Sequence, residues 1–293
     1  MQAGKTRRFA IMSAASMLKM LSCLSHVWAQ TLNGPYGLAL DASGNLYVAN
    51  VNSNQVLVYN PNYVQQSAKS ITSELSAPTG VAFDSKGNVY VANLGSASDG
   101  YITQYSSAGV QNTRFLITDG IAIPSAITVD GLDDLHVLNF LDVTVYPLAD
   151  NLNGPFLLTT IPLNASGCEP FKCAIAVHAG DLYVGEFLSP NGWEKGFVSE
   201  LLAGGGRFPV FQVTTSGVVA LATDSAGHLY VVTGNGEVDF WGPKGKVFFL
   251  QTSGFIPAAI AVDSARGRVY LSNFLGNSVL VYSTKGTLLH TIQ

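Results

Sequence analysis

The chain has 293 residues, of which 47% are apolar and only 12% charged, and its formal net charge is −4. Lys5, Arg7, Arg8 and Lys19 all fall in the first 29 residues, which leaves 11 basic against 19 acidic residues in the remainder, a net charge of −8. That sign argues against nucleic acid or an anionic membrane as partner, and the apolar share suits a single domain that buries sheet against sheet.

Residues 1–29 have the layout of a secretory signal: a basic start, a mainly apolar stretch over 9–24, and the small-residue cleavage site Val27-Trp28-Ala29. Lys19 breaks the apolar run, so no membrane span is expected, and the mature domain, 30–293, is placed outside the cytoplasm, periplasmic or secreted. Met20-Leu-Ser-Cys23 also resembles a lipoprotein cleavage box and Thr6-Arg7-Arg8-Phe9 a twin-arginine signal.

The next stretch, Gly37-Leu-Ala-Leu-Asp41-Ala-Ser-Gly44-Asn45-Leu-Tyr47-Val-Ala-Asn50, reads as strand, turn, strand. The Asp carboxylate can accept from backbone N–H groups two or three residues on, and Gly44 supplies the positive φ of a tight hairpin. A third strand follows over 55–59 and a fourth is expected over 70–74. Five further copies align on the turn, with the tyrosine position at 47, 90, 136, 183, 230 and 270, a period of 40 to 47 residues. Four short strands at that period predict an all-β fold, a six-bladed β-propeller of four-stranded antiparallel blades. The four residues before each turn alternate small and large, as in Gly37-Leu-Ala-Leu, Gly80-Val-Ala-Phe and Ala126-Ile-Thr-Val. Inner strands crowded around an axis require that alternation.

The pattern Pro-x-Gly-x-Ala-x-Asp-x-x-Gly-Asn-x-Tyr-Val-Ala-Asn resembles the NHL repeat, over essentially all of the chain after residue 30. The resemblance implies a six-bladed propeller used as a binding platform, with a minority of relatives that are enzymes. Where the family usually has an acidic residue after Tyr-Val-Ala, this chain mostly has Asn.

The second strands end on Asn50, Asn93, Asn139, Glu186, Thr233 and Asn273, at equivalent places around one face, here called the top. These oxygens could hold a calcium ion, or each could cap the backbone of its own loop. Apolar residues come next, among them Phe140, Phe187 and Phe274, and could line a greasy rim around the channel mouth. Blade 4 has enlarged loops on this face, over 163–172 and 188–195, the second carrying Trp193. Cys168 and Cys173, in the connection entering blade 4, suit a disulfide in an oxidising compartment, with a two-thiol metal site as the rival. No histidine falls where top-face catalysis would need one, and Asp133-Asp134 reads as a solvated carboxylate pair.

The expected function is therefore that of an exported, monomeric, non-enzymatic scaffold without a cofactor. It would bind a protein, peptide or glycan through Glu186, Phe187, Trp193, Asn139, Phe140, Asn50, Asn93, Asn273 and Phe274. The alternatives are a calcium-assisted hydrolase or lyase with Glu186, Asn139 and Asn93 as ligands, and a structural spacer.

Overall fold

The structure, a computed structural model, describes residues 30–96, 99–148, 157, 159–163, 173–188, 195–201, 207–213, 217–242 and 244–293. The signal-like segment 1–29, Cys168 and Trp193 lie outside the described residues.

The fold is an all-β propeller with six blades. Blade 1 is Pro35–Leu40, Leu46–Asn50 and Gln55–Tyr59. Blade 2 is Pro78–Phe83, Val89–Asn93, Tyr101–Tyr105 and Gln111–Ile117. Blade 3 is Ala126–Val129, Asp134–Leu138, Asp142–Pro147 and Thr159–Pro162. Blade 4 is Ala174–His178, Asp181–Leu188, Lys195–Leu201 and Arg207–Val213. Blade 5 is Val218–Thr223, Leu229–Thr233, Glu237–Gly242 and Gly245–Gln251. Blade 6 is Ile260–Asp263, Arg268–Asn273, Ser278–Ser283 and Leu288–Ile292. Each blade is an antiparallel meander with its first strand innermost.

Blade 1 departs from the expected four strands. Its outer edge is closed only by isolated bridges, Val56 to Ile71 and Tyr59 to Gln65, so 70–74 is not a regular strand. The chain turns sharply after Tyr59, where the Asn60 side chain accepts from Asn62 N and Val64 N and Tyr63 sits at φ 64°. A second turn follows at once, with Lys69 N and Ser70 N both donating to Gln66 O, and it breaks the outer edge into those two single bridges.

The repeated turn motif proves structural. In four blades one carboxylate oxygen accepts from the N–H groups two and four residues on: Asp41, Asp84, Asp130 and Asp224, all at 2.8–3.0 Å. The other oxygen is met by the Asn or His four residues on in three of these, Asn45, Asn88 and His228, and by Tyr90 or His136 from the second strand. His136 thus substitutes for the tyrosine as a partner of its turn Asp. Blade 4 lacks the Asp and uses a two-residue hairpin instead, Ala179 and Gly180, both at positive φ.

The size alternation of the inner strands also has a physical reason. A Cβ on Gly37 would lie 2.4 Å from Thr79 O of the next inner strand, so only glycine fits. Three residues at the start of each of the six inner strands, or just before it, surround a narrow space of about 80 Å³ on the axis, Tyr36 to Leu38 in blade 1 and their counterparts. Between the blades lie six apolar clusters, one per junction.

Closure of the ring uses packing and side-chain bonds, and among the described residues no strand is shared between the two ends. Leu32, Leu46, Val48 and Leu57 pack on Tyr270, Val279, Val281 and Ile292. Asn277 Oδ1 accepts from Gly34 N at 2.8 Å, and Arg266 donates to Ser43 O at 3.0 Å. Asn54 makes the same clasp from blade 1 to blade 2, accepting from Ala77 N at 2.7 Å. Both asparagines hold the left-handed conformation that this residue tolerates.

Candidate functional site

The asparagine ring is buried and serves the backbone. Asn50 Oδ1 accepts from Asn33 N, Asn93 Oδ1 from Ser76 N, and Asn139 Oδ1 from Ala122 N, at 3.0–3.2 Å and 17 residues apart each time. The residue after each asparagine adds a second bond to the same incoming loop: Val51 N to Gly34 O, Leu94 N to Ala77 O, Phe140 N to Ala122 O. Blade 5 keeps the second half, Gly234 N to Gly217 O at 2.8 Å, while the Thr233 hydroxyl turns to its own loop. This two-part clamp draws each incoming loop down onto its blade. The amide oxygens of Asn93 and Asn139, named above as calcium ligands, are already engaged in it.

Blade 6 is different. Asn273 Oδ1 accepts from Gly276 N of its own loop at 2.9 Å. Ser272 holds the inner strand instead, its hydroxyl accepting from Ala259 N at 2.8 Å. The incoming loop, 252–257, leans the other way, since Thr252 N and its hydroxyl donate to Gly236 O of blade 5 at 3.0 and 2.9 Å. A pocket of about 620 Å³ opens between that loop and the blade 6 loop. Phe255, Ile256 and Pro257 form one wall, Phe274 and Leu275 the other, and Tyr36 the end. Tyr36 meets Phe274 edge-on, with ring centroids 6.4 Å apart. Ile256 is 52% and Leu275 88% exposed, an unusual degree for such side chains. The polar lining is Asn235, Thr252 and Asn273, with no charged residue among the described lining. Burial pushes the Tyr36 hydroxyl far above its ordinary pKa, so it stays neutral. The pocket can hold an uncharged apolar group.

Of the residues singled out from sequence, Asn273 and Phe274 line this pocket. Phe140 is half-buried, and Asn50, Asn93 and Asn139 are the clamps. Glu186 is 3% exposed, on the strand face whose Leu182 and Val184 pack toward blade 3. The side chain of Phe187, like Trp193, lies outside the described residues. Cys173 is buried at the wall of the axial space. Asp133, expected to be solvated, accepts from Ser85 N at 2.8 Å and Ser85 Oγ at 2.5 Å across the junction to blade 2. Phe255, Ile256 and Leu275 were missed, although Phe-Ile-Pro inside a loop between blades is an apolar run that no core demands.

Residues 32–59 match the NHL repeat family, and they span the first two-strand hairpin and third strand of blade 1. The chain is a six-bladed β-propeller whose first blade matches the NHL repeat. No curated protein sequence matches it. Among solved structures, this propeller is similar to virginiamycin B lyase from Staphylococcus aureus, at 14% identity and TM-score 0.62, covering 89% of this chain and 86% of that one. It is also similar to a chain of a nidogen/laminin complex, at 15% identity and TM-score 0.64, covering 82% and 90%. A gluconolactonase from Xanthomonas campestris matches at 14% identity and TM-score 0.62, covering 88% of each chain. At these identities the likeness is one of fold.

Proposed function

We propose that this NHL-type propeller is an exported binding protein without catalytic activity, taking an apolar segment of a protein or peptide partner on its top face. One observation carries the reading: the clamp that closes other incoming loops is released at blade 6, and an uncharged apolar pocket stands open there. Its volume lies within the roughly 300–1,000 Å³ typical of ligand pockets. Burying one large apolar side chain there would contribute about 1.5–3 kcal/mol to binding. The nidogen/laminin complex among the neighbours supports a protein partner for this architecture. Export rests on the signal-like residues 1–29, and a Cys168–Cys173 disulfide would suit the same compartment.

A photo-crosslinking residue placed at Leu275 of the full chain, expressed in its own host, is expected to capture a partner. The same residue at Leu132, exposed on the opposite face, is expected to capture none. Equal capture at both positions, or none at Leu275, rules the top-face site out. The calcium-assisted alternative is tested by elemental analysis, with one calcium per chain as its requirement. Among the described residues no group of three His, Cys, Asp or Glu side chains is placed to hold a metal ion.

A further inference from the structure

The same pair of blades is open on the bottom face as well. A recess of about 550 Å³ lies between the outer halves of blades 5 and 6. Phe240 and Phe249, both half-buried, form its floor over the buried ring of Tyr230, which meets them edge-on at 5.2 and 5.6 Å. Hydroxyls of Ser225, Ser264 and Thr284 stand around it beside Val247 and Val262, with one residue of each charge, Asp224 and Lys285.

The corresponding space between blades 2 and 3 is filled. Leu148 follows the third strand of blade 3, its N–H donates to Asp133 O at 2.9 Å, and its side chain is 6% exposed among Tyr90, Phe115 and Leu135. Thr284 occupies the same place in blade 6, with its N–H donating to Gly267 O at 2.9 Å. The shorter side chain does not reach the floor, and the recess remains.

The donors and acceptors left over define the ligand. Asp224 is spoken for, one oxygen by Ala226 N and His228 N and the other by the His228 ring at 2.8 Å. Ser264 Oγ accepts from Ser225 N at 2.9 Å and keeps its own proton to donate. Neutral hydroxyls thus surround an aromatic floor, and the two charges at the rim offset each other. An anion would face Asp224 and a cation Lys285, while a purely apolar group would bury the hydroxyls unpaired. We infer that this recess takes a neutral saccharide unit, with the C–H face of the sugar ring on Phe240 and Phe249 and its hydroxyls bonded to Thr284 and Ser264. This site is independent of the top-face pocket.

The test is saturation-transfer NMR of the full chain with a panel of neutral methyl hexosides and their disaccharides. Wild type is expected to bind at least one. Thr284→Leu, which rebuilds the plug found at Leu148, is expected to weaken it at least tenfold. Thr284→Val keeps the size and removes only the hydroxyl, so about a 3- to 10-fold loss is expected from one hydrogen bond. Leu132→Asp, exposed in the blade 3 turn of the same face and in neither pocket, is expected to change nothing. The inference is overturned if no sugar of the panel binds wild type, or if Thr284→Leu folds and binds as before. If Thr284→Leu does not fold, unchanged binding by Thr284→Val overturns it.

Discussion

Between blades 2 and 3, Asn139 pins the incoming loop on top through Ala122 N, and Leu148 fills the space below against Tyr90 and Phe115. Between blades 5 and 6, Asn273 turns to Gly276 and Thr284 stands where the leucine would be, and a pocket opens on each face. The strands, their register and the apolar cluster between the two sheets are present at both junctions. The repeat therefore has two kinds of closure that sit at the ends of its strands. Either can be released while the inter-blade cluster stays packed, which is how a regular ring can acquire sites at a single junction.

The comparison breaks most visibly at the plug. Leu148→Ala is expected to cost about 2–3 kcal/mol by urea unfolding, because a closed junction is left with a cavity. Thr284→Ala should stay within about 0.5 kcal/mol, since nothing packs over it. Equal effects at the two sites would mean that the junctions are closed alike. On the top face, Asn139→Ala is expected to cost about 1–2 kcal/mol, as Ala122 N and Thr144 Oγ1 lose a buried partner. Asn273→Ala should again fall within about 0.5 kcal/mol. A gain of about 0.5–1 kcal/mol is expected for Thr284→Leu, from added apolar burial on the aromatic floor, and a thermal melt reads it.

The smallest effect concerns acid. Burial alone would raise the pKa of Asp224, at the rim of the bottom recess, but hydrogen bonds from the His228 ring and from the backbone of His228 and Ala226 outweigh it and bring the net shift below the ordinary carboxylate value. A depressed folded pKa means that its stabilisation is present above the unfolded value of about 3.9 and is lost as pH falls through the folded one. Asp224→Asn should therefore flatten the stability profile only at the acid end, below about pH 4, in urea unfolding against pH. An unchanged acid limb would remove Asp224 from that balance.

Much of the architecture was legible in the chain itself. The turn Asp works through its own next four residues, so its motif marks blades 1, 2, 3 and 5 directly. Gly37 and Gly80 mark the crowded inner strands because a side chain there would strike the next strand. The site was harder to read. Glu186 stands out in the repeat because it is the odd letter, yet it is buried between blades. Asn139 and Asn273 are the same letter at the same repeat position, and one is a clamp while the other lines a pocket. The fourth strand expected over 70–74 failed for a related reason: a turn at 66–70 separates the two bridges that pair this edge, at Gln65 and Ile71.

What the sequence by itself determined is the wheel: its six repeats, its hairpins, and the small residues at its hub, all set by interactions a few residues long or by steric limits common to every blade. What only the tertiary structure decided is where the wheel is left open. Whether an asparagine reaches the incoming loop, or a side chain 136 positions from its counterpart fills the same space, depends on distances between segments that no local pattern encodes.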